Sequence, residues 1–168
     1  MRVSRRSSRP TARRLSHVDA RGRVRMVDVS AKPETAREAV AEARVRMSAA
    51  AVRAIRQKQV KKGDPLQTAR LAGIMAAKQT ADLIPLCHPL RLSHVDIDLR
   101  PLRDGYVIRS LVRTSGQTGV EMEALVAVAV AALTIYDMLK AVDRAMVIAS
   151  VKLLEKRGGR SWHYRRRS

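Results

Sequence analysis

The stretch that decides the fold class is residues 90–114, LRLSHVDIDLRPLRDGYVIRSLVRT. Residues 90–99 alternate between two sets of side chains with the period of a strand, and residues 106–114 follow as the predicted antiparallel partner. Asp104-Gly105 between them is a tight-turn pair of the kind that joins antiparallel strands. The stretch therefore predicts a β-hairpin and, with it, an antiparallel sheet.

Helical patterns flank this hairpin on both sides. The predicted elements are a strand at 24–30, helices at 34 to about 56, 64–78 and about 120 to 142, and a last strand at 146–154. Asp64 is a suitable N-cap because Pro65 occupies the first helical position. The order β, α, α, β, β, α, β predicts an α+β fold in which long helices cover an antiparallel sheet.

Length and composition fit one globular domain. The chain has 168 residues, 46% of them hydrophobic, which is enough for a real core. A single cysteine permits no intrachain disulfide and suits a reducing cytoplasm. The longest purely apolar run, residues 124–133, is about half the roughly 20 residues that span a bilayer, so no membrane segment is predicted.

The net charge of +19 lies mainly at the two ends of the chain. Residues 1–14 hold six arginines and no acid, and residues 156–168 hold six Lys or Arg and no acid. We therefore predict a disordered basic extension at 1–14, a domain at 15–159 and a basic tail at 160–168. With only 2% aromatic residues the body has no stacking platform for bases, so nucleic-acid binding is expected only as non-specific contact by the tails.

Residues 83–90, LIPLCHPL, place the only cysteine, Cys87, and one histidine, His88, between two prolines. Each proline disfavours helix in the residue before it, so the segment is a stiff turn. By itself the turn fits a buried core histidine as well as a site histidine.

Two further segments carry charges at predicted helix starts. Lys58, Lys61 and Lys62 precede Gly63-Asp64, where exposed helix N–H groups favour an anion such as a phosphate chain. Glu121-Met122-Glu123 opens the long apolar helix, where acids are favoured by the helix dipole. A solvated lysine patch and an ordinary helix start explain these two patterns equally well.

Asp137 and Lys140 form an i, i+3 pair near the C-terminal end of that apolar helix. The pair is either an ordinary ion pair or a partly buried acid/base couple with shifted pKa values. The second interpretation requires a lysine of lowered pKa beside a carboxylate.

Six strings together resemble a known family. They are MVDVSAK at 26–32, KGD at 62–64, ARLAGI at 69–74, DLIPLCHPL at 82–90, TGVEMEA at 118–124 and ALTIYDM at 132–138. On these strings the chain resembles the cyclic pyranopterin monophosphate synthases, the molybdenum cofactor biosynthesis protein C family. The likeness runs from about 15 to 159, and only the basic tails depart from it.

The resemblance implies an activity and a set of site residues. Enzymes of this family convert 3′,8-cyclo-7,8-dihydroguanosine 5′-triphosphate to cyclic pyranopterin monophosphate and release pyrophosphate. Asp137 would be the catalytic acid/base, with Lys62 and Lys140 as its cationic partners. The implied substrate-binding residues are Leu86, Cys87, His88, Met122, Glu123, Glu121, Arg37 and Lys156. The resemblance further implies a ferredoxin-like fold, no metal or organic cofactor, and a homohexamer built as a trimer of dimers.

One distance adds to this picture. Glu123 and Asp137 are separated by 14 positions on one predicted helix, which is roughly 21 Å along its axis. One small-molecule site cannot use both from the same copy, so we expect active sites shared between protomers.

Two other classes of function stay open at this point. A nucleic-acid-binding module accounts for the tails but not for the turn or the Asp137 pair. A Cys87 nucleophile needs a base, and the adjacent His88 on an extended segment is expected to point to the opposite side. The same two residues make a poor zinc site, since no second ligand cluster is present.

Overall fold

The structure is a computed structural model, and it describes residues 21–159 and 163–167. Its elements are β1 (Thr35–Arg46), α1 (Ala49–Arg56), α2 (Pro65–Lys78), α3 (Thr80–Leu83), β2 (Leu92–Leu102), β3 (Gly105–Gly116), α4 (Glu121–Leu139), β4 (Val147–Arg157) and β5 (His163–Arg165). The predicted α+β class is confirmed.

The five strands form one sheet in the order β2-β3-β1-β4-β5, and each neighbouring pair is antiparallel. The hairpin predicted from residues 90–114 is β2 and β3. The order of the first four strands, with helices before β2 and after β3, is the ferredoxin-like βαββαβ arrangement. Gly105 begins β3 at φ +146°, and a Cβ there would lie 1.9 Å from the Val45 carbonyl oxygen of β1.

The core lies between one face of the sheet and the helices α2 and α4. Ala39, Ala41 and Ala43 of β1 are fully buried there, and such small side chains let the helices approach closely. A Cβ added to Gly73 of α2 would come 3.0 Å from the Ala127 carbonyl oxygen of α4. The close contact of the two helices therefore depends on a glycine.

The prediction of a helix at residues 34–56 is wrong for its first half, which forms the central strand β1. Its alanines and charged residues have good helix propensity, but they alternate with period two. Two ion pairs join β1 to β3: Glu38 binds Arg113 at 2.6 Å, and Glu42 binds Arg109 at 2.8 Å. Cross-strand ion pairs on one face and alanine burial on the other override the propensity. The end of the predicted helix is α1.

The strand predicted at residues 24–30 is also wrong, since the segment is a loop with one isolated bridge residue. The Val27 carbonyl oxygen lies 2.9 Å from Nε2 of His88, and the Val29 carbonyl accepts from the Lys32 N–H at 2.9 Å. Residues 24–30 therefore lie over the proline turn and belong to none of the five strands of the described sheet.

The basic C-terminal tail predicted at 160–168 contains the short strand β5, which extends the sheet along the edge of β4. Nε2 of His163 lies 2.7 Å from Oε1 of Glu155 on β4. The predicted N-terminal extension, residues 1–14, lies outside the described residues.

Helix α4 ends at Leu139, three residues before the predicted end at Val142. Among the described residues it is the one helix long and apolar enough to cross a membrane by length and composition. However, 56% of its most apolar window is buried within the protein, and it packs on α2 and on the sheet. That burial is typical of a core helix.

Candidate active site

The C-terminal end of α4 carries a carboxylate held by two lysines. Oδ2 of Asp137 lies 3.0 Å from Nζ of Lys62, and Oδ1 lies 2.8 Å from Nζ of Lys140. Nζ of Lys62 also donates to the backbone carbonyl of Asp137 at 3.0 Å. Two residues after Lys62, Asp64 caps α2 by accepting from the N–H groups of Leu66 and Gln67, which fixes the chain beside α4. We call Lys62, Asp137 and Lys140 the lysine cluster.

The lysine cluster is exposed to solvent. The hydrogen bond from Lys140, and then that from Lys62, lowers the pKa of Asp137 to about 2. In return Asp137 raises the pKa of Lys140. The expectation of a partly buried lysine with lowered pKa is therefore wrong for Lys140 within one chain. Because the Lys140 side chain is 54% exposed, burial is too weak to favour its neutral form.

The N-terminal end of α4 faces a cavity of about 330 Å³, which we call cavity A. Its lining residues are Val27, Val29, Lys32, Leu86, Cys87, His88, Leu90, Thr118, Gly119, Met122 and Glu123. The proline turn thus forms one wall and the first turn of α4 another. Cavity A brings together five of the predicted substrate-binding residues: Leu86, Cys87, His88, Met122 and Glu123.

Glu123 is the titratable group most changed by its surroundings in cavity A. It is only 4% exposed, and burial raises its pKa to about 7, with a further rise from the charge of Glu121. A carboxyl group with this pKa exists in both protonation states at neutral pH, so it can accept or donate a proton.

Three more predicted residues lie around cavity A without lining it. Nε of Arg37 donates to the Gly116 carbonyl at 2.8 Å and orders the loop that leads into α4. Nζ of Lys156 on β4 lies 2.6 Å from Oε1 of Glu121. These contacts place the Arg37 guanidinium on the loop before α4 and the Lys156 ammonium on Glu121.

Sequence reasoning missed several residues that line cavity A. Val27, Val29 and Lys32 were assigned to a strand or to no element, and Thr118 and Gly119 only to a loop. Their one signal was that all five fall within strings shared with the family. Their position in space is set by the loop folding over the proline turn, which no local pattern encodes.

The cysteine alternative is disfavoured by the surroundings of Cys87. Burial, and then the negative charge of Glu123, raises the pKa of the Cys87 thiol, which is the opposite of what a thiolate nucleophile requires. Cys87 and His88 both line cavity A. The argument against a Cys87 nucleophile therefore rests on the raised pKa of its thiol and not on the predicted opposite directions of the two side chains. Across residues 21–159 and 163–167, no three His, Cys, Asp or Glu side chains are grouped to hold a metal ion.

The lysine cluster and cavity A lie at opposite ends of α4. Glu123 belongs to the first turn and Asp137 to the last turn of this 19-residue helix, which separates them by roughly 21 Å along the axis. One chain therefore does not bring its two predicted groups of site residues together.

A buried carboxyl group in a cavity and a carboxylate between two ammonium groups, on a ferredoxin-like α+β scaffold, are typical of an enzyme site for a small molecule. Residues 26–159 match the model of the MoaC family. The chain belongs to the MoaC family, whose enzymes act in molybdenum cofactor biosynthesis.

Relatives from several bacteria agree with this assignment. The chain is 59% identical over 152 residues to the cyclic pyranopterin monophosphate synthase of Heliobacterium modesticaldum, covering 89% of this chain and 96% of that protein. It is 54% identical over 156 residues to the synthase of Parvibaculum lavamentivorans, covering 92% and 98%. It is 56% identical over 154 residues to the synthase of Thermomicrobium roseum, covering 90% and 93%.

Proposed function

We propose that this chain converts 3′,8-cyclo-7,8-dihydroguanosine 5′-triphosphate to cyclic pyranopterin monophosphate and releases pyrophosphate. The observation that carries the proposal is the pair of oppositely shifted carboxyl groups, Asp137 and Glu123, in two differently charged environments. The catalytic domain is taken as residues 15–159, and the compartment as the cytoplasm.

The lysine cluster suits the phosphate part of this chemistry. Lys62 and Lys140 lie on the two oxygens of Asp137, so an incoming triphosphate meets cations that are already fixed in position. Neutralising the charge of a leaving pyrophosphate is mainly electrostatic work. When the lysines turn toward phosphate oxygens, Asp137 is released to act as a base on the substrate.

Cavity A suits the purine-derived part of the substrate. The carboxyl group of Glu123 is an acceptor for a guanine-like N–H edge when it is ionised. Its pKa of about 7 also lets it give a proton back during ring closure. Leu86 and Met122 supply apolar contacts beside it.

The separation of the two groups of site residues supports an active site shared between protomers. In that arrangement cavity A of one copy faces the lysine cluster of a second copy. We propose a homohexamer, a trimer of dimers, in which every active site is composite. No metal and no organic cofactor enters the proposed reaction.

The direct test supplies the cyclised dihydro-GTP substrate and measures pyranopterin and pyrophosphate. We expect Lys62→Ala and Asp137→Ala to abolish most product formation. Lys61→Ala is the matched control, because Lys61 is the exposed lysine next to Lys62 in the chain. Equal turnover in all three variants would overturn the assignment of the lysine cluster.

Subunit mixing tests the shared site. Glu123→Ala and Asp137→Ala are each expected to be inactive, and hybrids formed by subunit exchange should regain part of the activity because some active sites then carry neither substitution. Mixing either variant with itself is the control. If exchange is demonstrated by mass spectrometry and no activity returns, the composite site is excluded.

Removal of the basic tails separates the enzyme from a nucleic-acid-binding module. A chain of residues 15–159 lacks β5 but keeps cavity A and the lysine cluster. We expect it to retain turnover, whereas a protein that works through its tails would lose its affinity for nucleic acid. Loss of turnover with intact folding would show that the tails take part in the reaction.

A further inference from the structure

A second cavity lies on the other side of the residues that wall cavity A. This cavity, which we call cavity B, has a volume of about 300 Å³. Its lining residues are Ala77, Lys78, Thr80, Ala81, Asp82, His88, Pro89, Leu90, Arg91 and Glu123. His88, Leu90 and Glu123 line both cavities, so these three side chains form the partition between them.

The two cavities differ in the exposure of the residues that line them. Every lining residue of cavity A is buried or only partly exposed. Cavity B instead has four exposed lining residues at its mouth: Lys78, Asp82, Pro89 and Arg91. Its inner end is formed by buried residues that include Glu123 and Ala77. Cavity B therefore leads from the surface to Glu123, with room for several water molecules.

We propose that cavity B is the path by which a proton leaves the substrate cavity, with Glu123 as the group that passes it to solvent. The proposal rests on the function proposed above and deepens it. The Glu123 carboxylate takes a proton from a substrate N–H or O–H in cavity A. The resulting carboxyl group gives that proton to water in cavity B, which delivers it to bulk solvent and regenerates the carboxylate. No oxidant, reductant or further reactant is needed.

The charges around Glu123 are compatible with proton transfer from cavity A to cavity B. Its pKa of about 7 means that neither protonation state is trapped at neutral pH. In the proposed function the substrate fills cavity A, and cavity B is then the water-accessible cavity that borders Glu123. The titratable and charged groups around Glu123 are Glu121 on its own helix, Cys87 and His88 on the proline turn, Lys32 in cavity A, and Lys78, Asp82 and Arg91 in cavity B.

The test fills cavity B without touching cavity A. Ala81→Leu and the milder Ala81→Val place extra carbon atoms in cavity B, whereas Gln79→Leu is the matched control at a neighbouring exposed position outside either lining. We expect kcat of the filled variants to fall, about tenfold or more for leucine, with KM unchanged. The solvent deuterium isotope effect on kcat should rise, because proton release becomes rate-limiting. Filled variants with the kcat and isotope effect of Gln79→Leu would overturn the proposal.

A second readout does not depend on turnover. The carboxyl carbon of Glu123, followed by NMR as pH is varied, should titrate at higher pH in Ala81→Leu than in Gln79→Leu, because removal of water from cavity B further disfavours the charged form. An unchanged midpoint would show that cavity B does not hydrate Glu123. Absence of turnover in the unsubstituted enzyme would instead count against the proposed function, and the NMR result would still decide the role of cavity B.

Discussion

The two ends of α4 carry carboxyl groups of opposite character. Glu123 at the first turn is buried, and its pKa is raised to about 7. Asp137 at the last turn is exposed between two lysines, and its pKa is lowered to about 2. One helix therefore supplies a group that exchanges protons at neutral pH and a group that stays ionised. The difference comes from burial at one end and charge pairing at the other.

The largest effect is expected from removing the charge of Asp137 while keeping its shape. Asp137→Asn should lower kcat by at least about 100-fold, since in the proposed function Asp137 is the acid/base group that acts on the substrate. Its unfolding free energy should barely change, because the side chain is 56% exposed. Pyrophosphate release and urea unfolding measure the two quantities.

Asp96→Asn is the control for this variant, since Asp96 is 57% exposed and also lies near one cation, Arg70. It should keep the kcat of the unsubstituted enzyme. A matching loss of kcat in Asp96→Asn would mean that surface charge in general, and not the lysine cluster, governs the rate.

The next effect concerns stability at the other end of α4. The folded-state pKa of Glu123 is raised from 4.5 to about 7, so the folded protein holds a proton that the unfolded chain releases over this range. The stability that this bound proton contributes is fully present below the pKa of the unfolded chain. It is lost as the pH rises toward the folded-state pKa of Glu123, and the free energy of unfolding then falls by about 3 kcal/mol in total. Urea unfolding of Glu123→Gln at about pH 5 and about pH 7.5 should lack this decline.

Asp137→Asn gives the opposite expectation in the same experiment. The pKa of Asp137 is lowered to about 2 from 3.8, so the small stability contribution of this exposed carboxylate is present above the unfolded pKa and is lost only as pH falls through the folded one. Between about pH 5 and about pH 7.5 the variant should follow the unsubstituted protein. If the unfolding free energy changed with pH in the same way in both variants, the two ends of α4 would not differ in how they bind protons.

The smallest effect is expected at Asp64, which begins α2 beside the lysine cluster. Asp64→Ala removes the side chain that accepts from the Leu66 and Gln67 N–H groups, at a cost of about 1 kcal/mol in unfolding free energy. Asp64→Ser should recover most of that loss. If alanine and serine were equally destabilising, the carboxylate would act through charge on Lys62 and not as a cap.

Local signals predicted some elements correctly. The Asp104-Gly105 turn after the alternating stretch at 90–99 predicted the β2-β3 hairpin, and the Asp64-Pro65 pair predicted the start of α2. Turn and cap preferences act within a few residues, so one segment contains all the information they need. The strand β1 was missed because its alanines become a buried face only when α2 and α4 pack on them.

The candidate site shows the same division. The strings around Lys62, His88, Glu123 and Asp137 identified the residues, but not their surroundings. Lys62 meets Asp137 across 75 positions of the chain, and the raised pKa of Lys140 agrees with the ion-pair interpretation and not with the buried acid/base couple. Cavity B could not be predicted from any local pattern, because its lining combines residues 77–91 with the distant Glu123.

The sequence alone determined the α+β class, the hairpin, the family and the residue types available for chemistry, because these depend on local periodicity and on characteristic strings. The tertiary structure decided which of those residues meet, and with what protonation. Burial and charge pairing depend on atoms brought together from distant parts of the chain, so the pKa values of Glu123 and Asp137 are properties of the packed protein.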